Sequence, residues 1–288
     1  MTAVNDEERA VDVVQDQTFN GYQEQHGKTE SQLYIILLTM VLKAVLYLAV
    51  LGFATLSSAA GRPVPGNLKN LYNKAKAGNS RCASPLSSTG FKDGHGRGGF
   101  TYCGDHEGII YITGSSNAMG LADMDVDCDG ANRSKGDCAN DPSGQGQTSF
   151  KDEVAKYGIE DLDSNKHSYV VLGNEGKSPR YLPSASGVES LSVVAVVCNN
   201  KLFYGVWGDT NGGTDTGEVS ISLAQACFPN EHLNGNKGHE GHDVLYVAFK
   251  GKQAKPGAKG ALWKARNFDA FERSLANIGD KLVAQIKA

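Results

Sequence analysis

Leu191-Ser-Val-Val-Ala-Val-Val-Cys198, then Asn199-Asn200-Lys201, then Leu202-Phe-Tyr-Gly-Val-Trp207 is the stretch on which the fold turns. Both apolar runs are dense in β-branched and aromatic side chains, which suit a pleated, half-buried surface. The polar Asn-Asn-Lys link is long enough only for a tight connection, so the two runs are expected to form a compact hairpin. Three more runs of the same kind lie further out, Gly108–Thr113, His167–Leu172 and Asp243–Phe249, and glycine or asparagine brackets most of them. With 35 glycines against 8 prolines and no Gly-X-Y period, the composition points to a loop-rich, mainly β (α+β) protein and excludes collagen and coiled coil.

Helices are expected at the margins. Asn67–Lys76 carries Leu68, Leu71 and Tyr72 at helical spacing, and Ser149–Tyr157 and Val219–Ala226 are short candidates between strands. Asn267–Lys287 sets Phe268, Phe271, Leu275, Ile278 and Leu282 on one stripe, an amphipathic helix that packs on the sheet. Residues 79–102 read as a loop, and Gly94-His-Gly-Arg-Gly-Gly99 within them lacks the preceding strand and following helix that dinucleotide binding requires. The chain divides into a leader (residues 1–60), a linker with a short helix (61–80) and one catalytic domain (81–288), without internal repeats.

In the leader, Leu33–Ala60 is almost wholly apolar and long enough to span a bilayer. Read from Met40, the same segment has a short basic start, an apolar stretch and the small-residue end Ser57-Ser58-Ala59-Ala60, the pattern of a secretory signal. Secretion is the preferred reading, with the true start at Met40 and residues 1–39 an upstream extension; anchoring through residues 33–60 is the alternative. Six cysteines, Cys82, Cys103, Cys128, Cys138, Cys198 and Cys227, all follow that segment, which fits disulfides formed in an oxidising compartment. No pair has Cys-x-x-Cys spacing, so a zinc ribbon is not expected. Among the many connectivities open to six cysteines, sequence neighbours suggest Cys82–Cys103, Cys128–Cys138 and Cys198–Cys227.

The net charge of -4 is too weak to imply nucleic acid, but residues 103–220 hold 18 acidic against 8 basic residues, a segment that attracts cations. Within it, Asp123, Asp125, Asp127 and Asp129 alternate along an extended run and would share one face. Asp125, Asp127, Asp129 and Gly130 also mimic the opening of a calcium loop, yet its twelfth position is Gly136 where a carboxylate belongs. A metal is therefore not expected, and the acidic face awaits a cationic substrate. Downstream, Tyr204-Gly-Val-Trp207-Gly-Asp209 ends a strand, a glycine-rich loop follows, and Glu218 opens the helical segment. Asp209 and Glu218 across that loop, with Trp207 or Tyr204 as a platform for a sugar ring, supply the acid and base that a glycosidase needs. His239 and His242 lack metalloprotease spacing and are expected to be exposed.

The blocks Tyr102-Cys-Gly-Asp105, Met124-Asp-Val-Asp-Cys-Asp-Gly-Ala-Asn132, Cys198–Gly212, Gly217-Glu-Val-Ser-Ile-Ser-Leu-Ala224 and Asp243–Phe249 closely resemble fungal-type chitosanases of glycoside hydrolase family 75. The resemblance covers about residues 65–288. It implies a secreted, endo-acting, inverting hydrolase of chitosan, a β-1,4-linked glucosamine polymer, with Asp209 and Glu218 as its essential carboxylates. No cofactor and no stable protein partner are implied, and a monomer is expected. Glu218 is assigned as the acid from its higher reference pKa, and Asp209 as the base. Asp123, Asp125, Asp127 and Asp129 become candidates for binding the substrate's amines. By analogy with other polysaccharide-active proteins, the strand-Asp-loop-Glu pattern suggests a six-stranded double-psi-like β-barrel with peripheral helices. The competing class is a non-catalytic secreted polysaccharide-binding module, expansin-like or calcium-dependent.

Overall fold

The computed structural model describes residues 61–77, 82–114 and 120–288, together with Leu38 and Met40. The secretory or anchoring segment assigned to residues 33–60 thus lies almost wholly outside the described residues. Among the described residues, no helix is long and apolar enough to cross a membrane.

The hairpin forms as expected. β7 (Val193–Cys198) and β8 (Lys201–Asn211) pair antiparallel from Val193 opposite Val206 to Cys198 opposite Lys201. Two residues suffice for the turn: Asn199 and Asn200 both adopt positive φ, 47° and 57°, the left-handed geometry that matches strand twist and that asparagine tolerates. Around this hairpin stand β5 (Ala122–Asp127), β6 (Tyr169–Asn174), β9 (Glu218–Ser220) and β10 (His239–Phe249). Their pairings run β8–β6–β9–β5–β10, and β7 joins β10 back to β8, so six strands close into a ring. Two of its contacts are parallel, β5 with β9 and β6 with β8. A flap of β4 (Ile109–Gly114), β3 (Gly98–Cys103) and β2 (Phe91–Lys92) extends antiparallel from β10, and β1 (Arg62–Pro63) adds to the edge of β8.

The period of two in these strands sorts the core into two layers. Val194, Val196, Phe203, Val170, Val219 and Tyr246 meet Phe100, Tyr102 and Ile110 of the flap in one cluster. Their neighbours Val193, Ala195, Val197, Leu202, Tyr204, Val206, Leu245 and Val247 face the other cluster. That second layer is covered by α1 (Gly66–Lys76), through Leu68 and Leu71, and by the C-terminal helix. The remaining helices are α2 (Lys151–Ala155), α3 (Ile221–Cys227), α4 (Gly257–Gly260) and α5 (Phe268–Ala284). In α5 the expected stripe is the buried one, with Phe271, Leu275 and Leu282 inside, and Asn267 caps it by accepting the Ala270 N–H. The fold is mixed α+β, mostly sheet. The three disulfides join the neighbouring pairs, Cys82–Cys103, Cys128–Cys138 and Cys198–Cys227.

One segment differs from the sequence reading. Gly98–Cys103 is a strand, not a loop: its glycines dilute the β signal, but Phe100 and Tyr102 point to the core and Cys103 is tied to Cys82. Asp125 and Asp127 lie in the extended backbone of β5, and Asp129 and Gly130 follow its end.

Candidate active site

Asp209 and Glu218 reach one site because they stand on the two strands that flank β6. Val171 of β6 lies opposite Asp209, and Val170 lies opposite both Trp207 of β8 and Val219 of β9. Gly208 is the extra residue of a bulge in that register, and it permits the close approach: a Cβ there would sit 2.5 Å from Tyr169 Cβ and 2.7 Å from Leu162 Cδ1. On its other side β9 runs parallel to β5 with Glu218 opposite Asp125. The result is a cavity of about 170 Å³ whose walls include Asp127, Asp129, Asp141, Asp209, Asn211 and Glu218, with Val126 and Val171 beneath. A larger cavity of about 500 Å³ beside Ile109 and the end of α5 has one carboxylate, Glu107, and lacks the pair that acid–base chemistry needs.

The two carboxylates are held differently. Asp209 is buried, and its Oδ1 accepts the N–H groups of Ser149 and Thr210, at 2.9 and 2.7 Å, and the Ser149 hydroxyl. Its Oδ2 is buried without a hydrogen-bond partner. Burial raises its pKa on balance, and those donors hold the rise in check. Glu218 is half-buried, and its Oε2 takes the Asn211 amide, whose orientation is set because Asn211 Oδ1 accepts the Gly213 N–H at 2.6 Å. Desolvation first, then the charge of Asp125, pushes the Glu218 pKa up to about 8. Glu218 is a strand residue and the helix begins at Ile221, so no helix N-terminus opposes that shift, in contrast to the sequence reading.

Asp127 and Asp129 each offer an oxygen in a group with Asp209 whose members lie within 4.8 Å of one another. Three like charges so close in a poorly solvated cleft cannot all be ionised. Burial and these neighbours raise Asp127 well above the carboxylate range, and burial raises Asp129 to about 7. Asp125 is half-buried, with Oδ2 accepting the Gly94 N–H at 2.9 Å.

Three expected substrate contacts are corrected. Tyr204 points away from the cleft into the helix-covered layer, with its hydroxyl on Asp280 and its ring against Gly279 of α5. Trp207 is buried too: its ring meets Phe150 edge to face and its indole N–H donates to the Asp209 carbonyl at 2.9 Å, so it braces the backbone at Asp209 and offers no platform. Asp123 has no exposed surface, with Gly217 packed close against its carboxylate. The histidines are corrected as well, since His239 stacks on Phe228 between Glu231 and Asp243, and the largely buried His242 side chain lies 3.0 Å from Asp93 Oδ2. Ser149, Asn211 and Asp93 escaped the sequence reading. Only the Trp-Gly-Asp-Thr-Asn spacing hinted at Asn211, two residues from Asp209 on the same strand face.

Two carboxylates on strands either side of β6, with acidic walls around them, make the layout of a glycoside hydrolase. The comparisons agree with this class and refine it. Residues 124–285 match the family described as fungal chitosanase of glycosyl hydrolase group 75. The chain is 54% identical over 241 residues to an endo-chitosanase of Aspergillus fumigatus, covering 83% of this chain and 98% of that protein. It is 52% identical over 240 residues to endo-chitosanase B of Aspergillus oryzae, with 83% and 98% covered. A more distant similarity, 39% over 171 residues, links it to endo-chitosanase C of Aspergillus oryzae, with 58% of this chain and 39% of that protein covered. The protein is thus a glycoside hydrolase, and it belongs to the fungal chitosanase family of glycosyl hydrolase group 75.

Proposed function

We propose that this chain is a secreted, monomeric endo-chitosanase that cleaves β-1,4 bonds between glucosamine units with inversion, residues 81–288 forming its catalytic domain. The carrying observation is the contrast between two carboxylates in one cleft. Glu218, pushed up to about 8, holds a proton at neutral pH; with the Asn211 amide on Oε2, that proton sits on Oε1 and is available to the leaving glycosidic oxygen. Asp209 has three donors on Oδ1, which favour its anion and fix its rotamer, and a bare Oδ2 that suits a nucleophilic water. Inversion is the outcome we assign to this division, with the base working through water on the ring face opposite the acid. Asp127 and Asp129, which line the cleft, are assigned to the substrate's ammonium groups, whose approach replaces protons in the crowded row. The closed ring of six strands with two parallel contacts supports a double-psi-type barrel as the frame.

The test is incubation of the purified protein with chitosan, following reducing ends and the anomeric proton of the first product by NMR. New internal cleavage with an α-anomer is expected. An initial β-anomer overturns the assignment of Asp209, and binding without cleavage overturns the enzyme reading in favour of a wall-binding module.

A further inference from the structure

Asp123 is the least satisfied group among the described residues. Its side chain is fully buried, and neither oxygen has a hydrogen-bond partner. Protonation alone does not resolve this, because a neutral acid still needs an acceptor for its O–H, and an ionised carboxylate without donors costs several kcal/mol, on the order of the penalty for burying one ion of a pair. What surrounds it is a set of ligand atoms. Oxygens of Asp123 and Asp125 and a ring nitrogen of His95 lie within 4.8 Å of one another, and so do atoms of Asp123, Asp93 and His242.

The two triads are not equivalent. Asp93 is already engaged, accepting the Arg97 side chain at 2.8 Å, two backbone N–H groups and His242 at 3.0 Å. In the other triad the donor atoms are free: both Asp123 oxygens lack partners, Asp125 uses only Oδ2, for the Gly94 N–H, and His95 is exposed with its ring at the mouth. The Gly94–Gly98 turn that carries His95 folds over β5 and is pinned by Asp93 at its base, since Oδ1 accepts the N–H groups of His95 and Arg97 at 3.1 and 2.7 Å. His95 is thereby held above two carboxylates, one buried and one half-buried.

We propose that Asp123, Asp125 and His95 bind a divalent transition-metal cation, with the Asp93–His242 pair behind them. Two carboxylates and one imidazole form a mixed oxygen and nitrogen donor set that suits Zn²⁺ or Mn²⁺ better than Ca²⁺, which prefers six or more oxygens. Asp93 supports the site through the backbone, by accepting the N–H groups of His95 and Arg97 and so fixing the turn that carries the imidazole. The site is separate from the Asp127–Asp129–Asp209 group, and its occupancy is read without reference to turnover.

The experiment uses the full-length protein stripped with a chelator and then titrated with Zn²⁺, Mn²⁺ and Ca²⁺ in separate arms. Calorimetry and elemental analysis after gel filtration read binding. Zn²⁺ or Mn²⁺ is expected to bind at about one ion per chain with Kd near ~10 μM or tighter, to raise the melting temperature, and to outcompete Ca²⁺. H95A, at an exposed position, is expected to fold normally and weaken binding about 10-fold or more, and the near-isosteric D123N to do the same. No saturable binding by the parent protein overturns the proposal and leaves Asp123 a neutral buried acid. Binding unchanged in both variants also overturns it, by placing the ion elsewhere.

Discussion

Asp209 and Glu218 differ in what holds them, and the difference is measurable. D209N and E218Q keep size and shape, so each is expected to fold and to lose at least ~100-fold in kcat, the low end of what a positioned acid or base contributes. Near-parental turnover by either purified variant removes that residue from the mechanism. The charge state of Glu218 is governed first by its burial, then by Asp125, the Asn211 amide, Asp215 and Asp209 around it. With its pKa near 8, the alkaline limb of kcat is expected to fall as pH rises through about 8 and to shift in N211A. The same protons bear on stability. Glu218 and Asp129, raised to about 8 and about 7, keep protons that the unfolded chain releases above ~4. The native state therefore binds more protons between pH ~4 and 8, and stability is fullest below that window and declines across it as pH rises. Melting curves of metal-free protein at pH 5 and pH 8 check this, and E218Q is expected to flatten the decline.

At the scale of elements, the bulge at Gly208 is what turns a strand into half of an active site. A methyl at this position has no room against Tyr169 and Leu162, so G208A is expected to cost about 1–3 kcal/mol, the usual range for overpacking, and to lower kcat by displacing Asp209. Denaturant melts and initial rates on chitosan read the two effects, and a variant unchanged in both shows that the bulge is not needed. Much at this level is legible in the residues. The Val-rich hairpin and the stripe of α5 follow from period and composition, because burial on one face leaves one pattern per element. Glu218 is where local reading fails: Glu-Val-Ser before a helical run looks like a first turn, and only pairing with Asp125 to Ser220's partner on β5 and with Val170 on β6 makes it a strand. Tyr204 and Trp207 show the same limit. Alternation along β8 places them on different layers, but which layer faces solvent depends on where α5 and α2 dock, and no local pattern encodes that.

For the whole molecule, ring closure matters because it gathers acidic residues that are distant in sequence. β5 brings Asp127, the segment after it brings Asp129 and Asp141, β8 brings Asp209 and β9 brings Glu218, so the described walls of the cleft carry five carboxylates and no basic side chain. The near-neutral average of the chain, -4 over 288 residues, hides this concentration. Those wall carboxylates that are ionised are all of one sign, and in a low-dielectric cleft they focus the field and raise the local concentration of a polycation, with effects on association of about 10-fold to 1,000-fold, while arriving ammonium groups favour loss of the protons held by the others. If chitosan amines are the partners of that field, screening must weaken their capture. Between about 0.01 M and 1 M salt the Debye length falls from ~30 Å to ~3 Å, shorter than the reach from one sugar unit to the next few. At a pH that keeps the amines protonated, kcat/KM on fully deacetylated chitosan is expected to fall about 10-fold or more over that range, chiefly through KM, because chemistry inside the cleft is already desolvated. Partly acetylated polymer, with fewer charges per chain, is expected to respond less. Initial-rate measurements on both polymers across the salt series decide the matter: a kcat/KM that is flat in salt, or equally steep for both, removes the acidic cleft as the source of substrate capture and leaves short-range contacts to account for it.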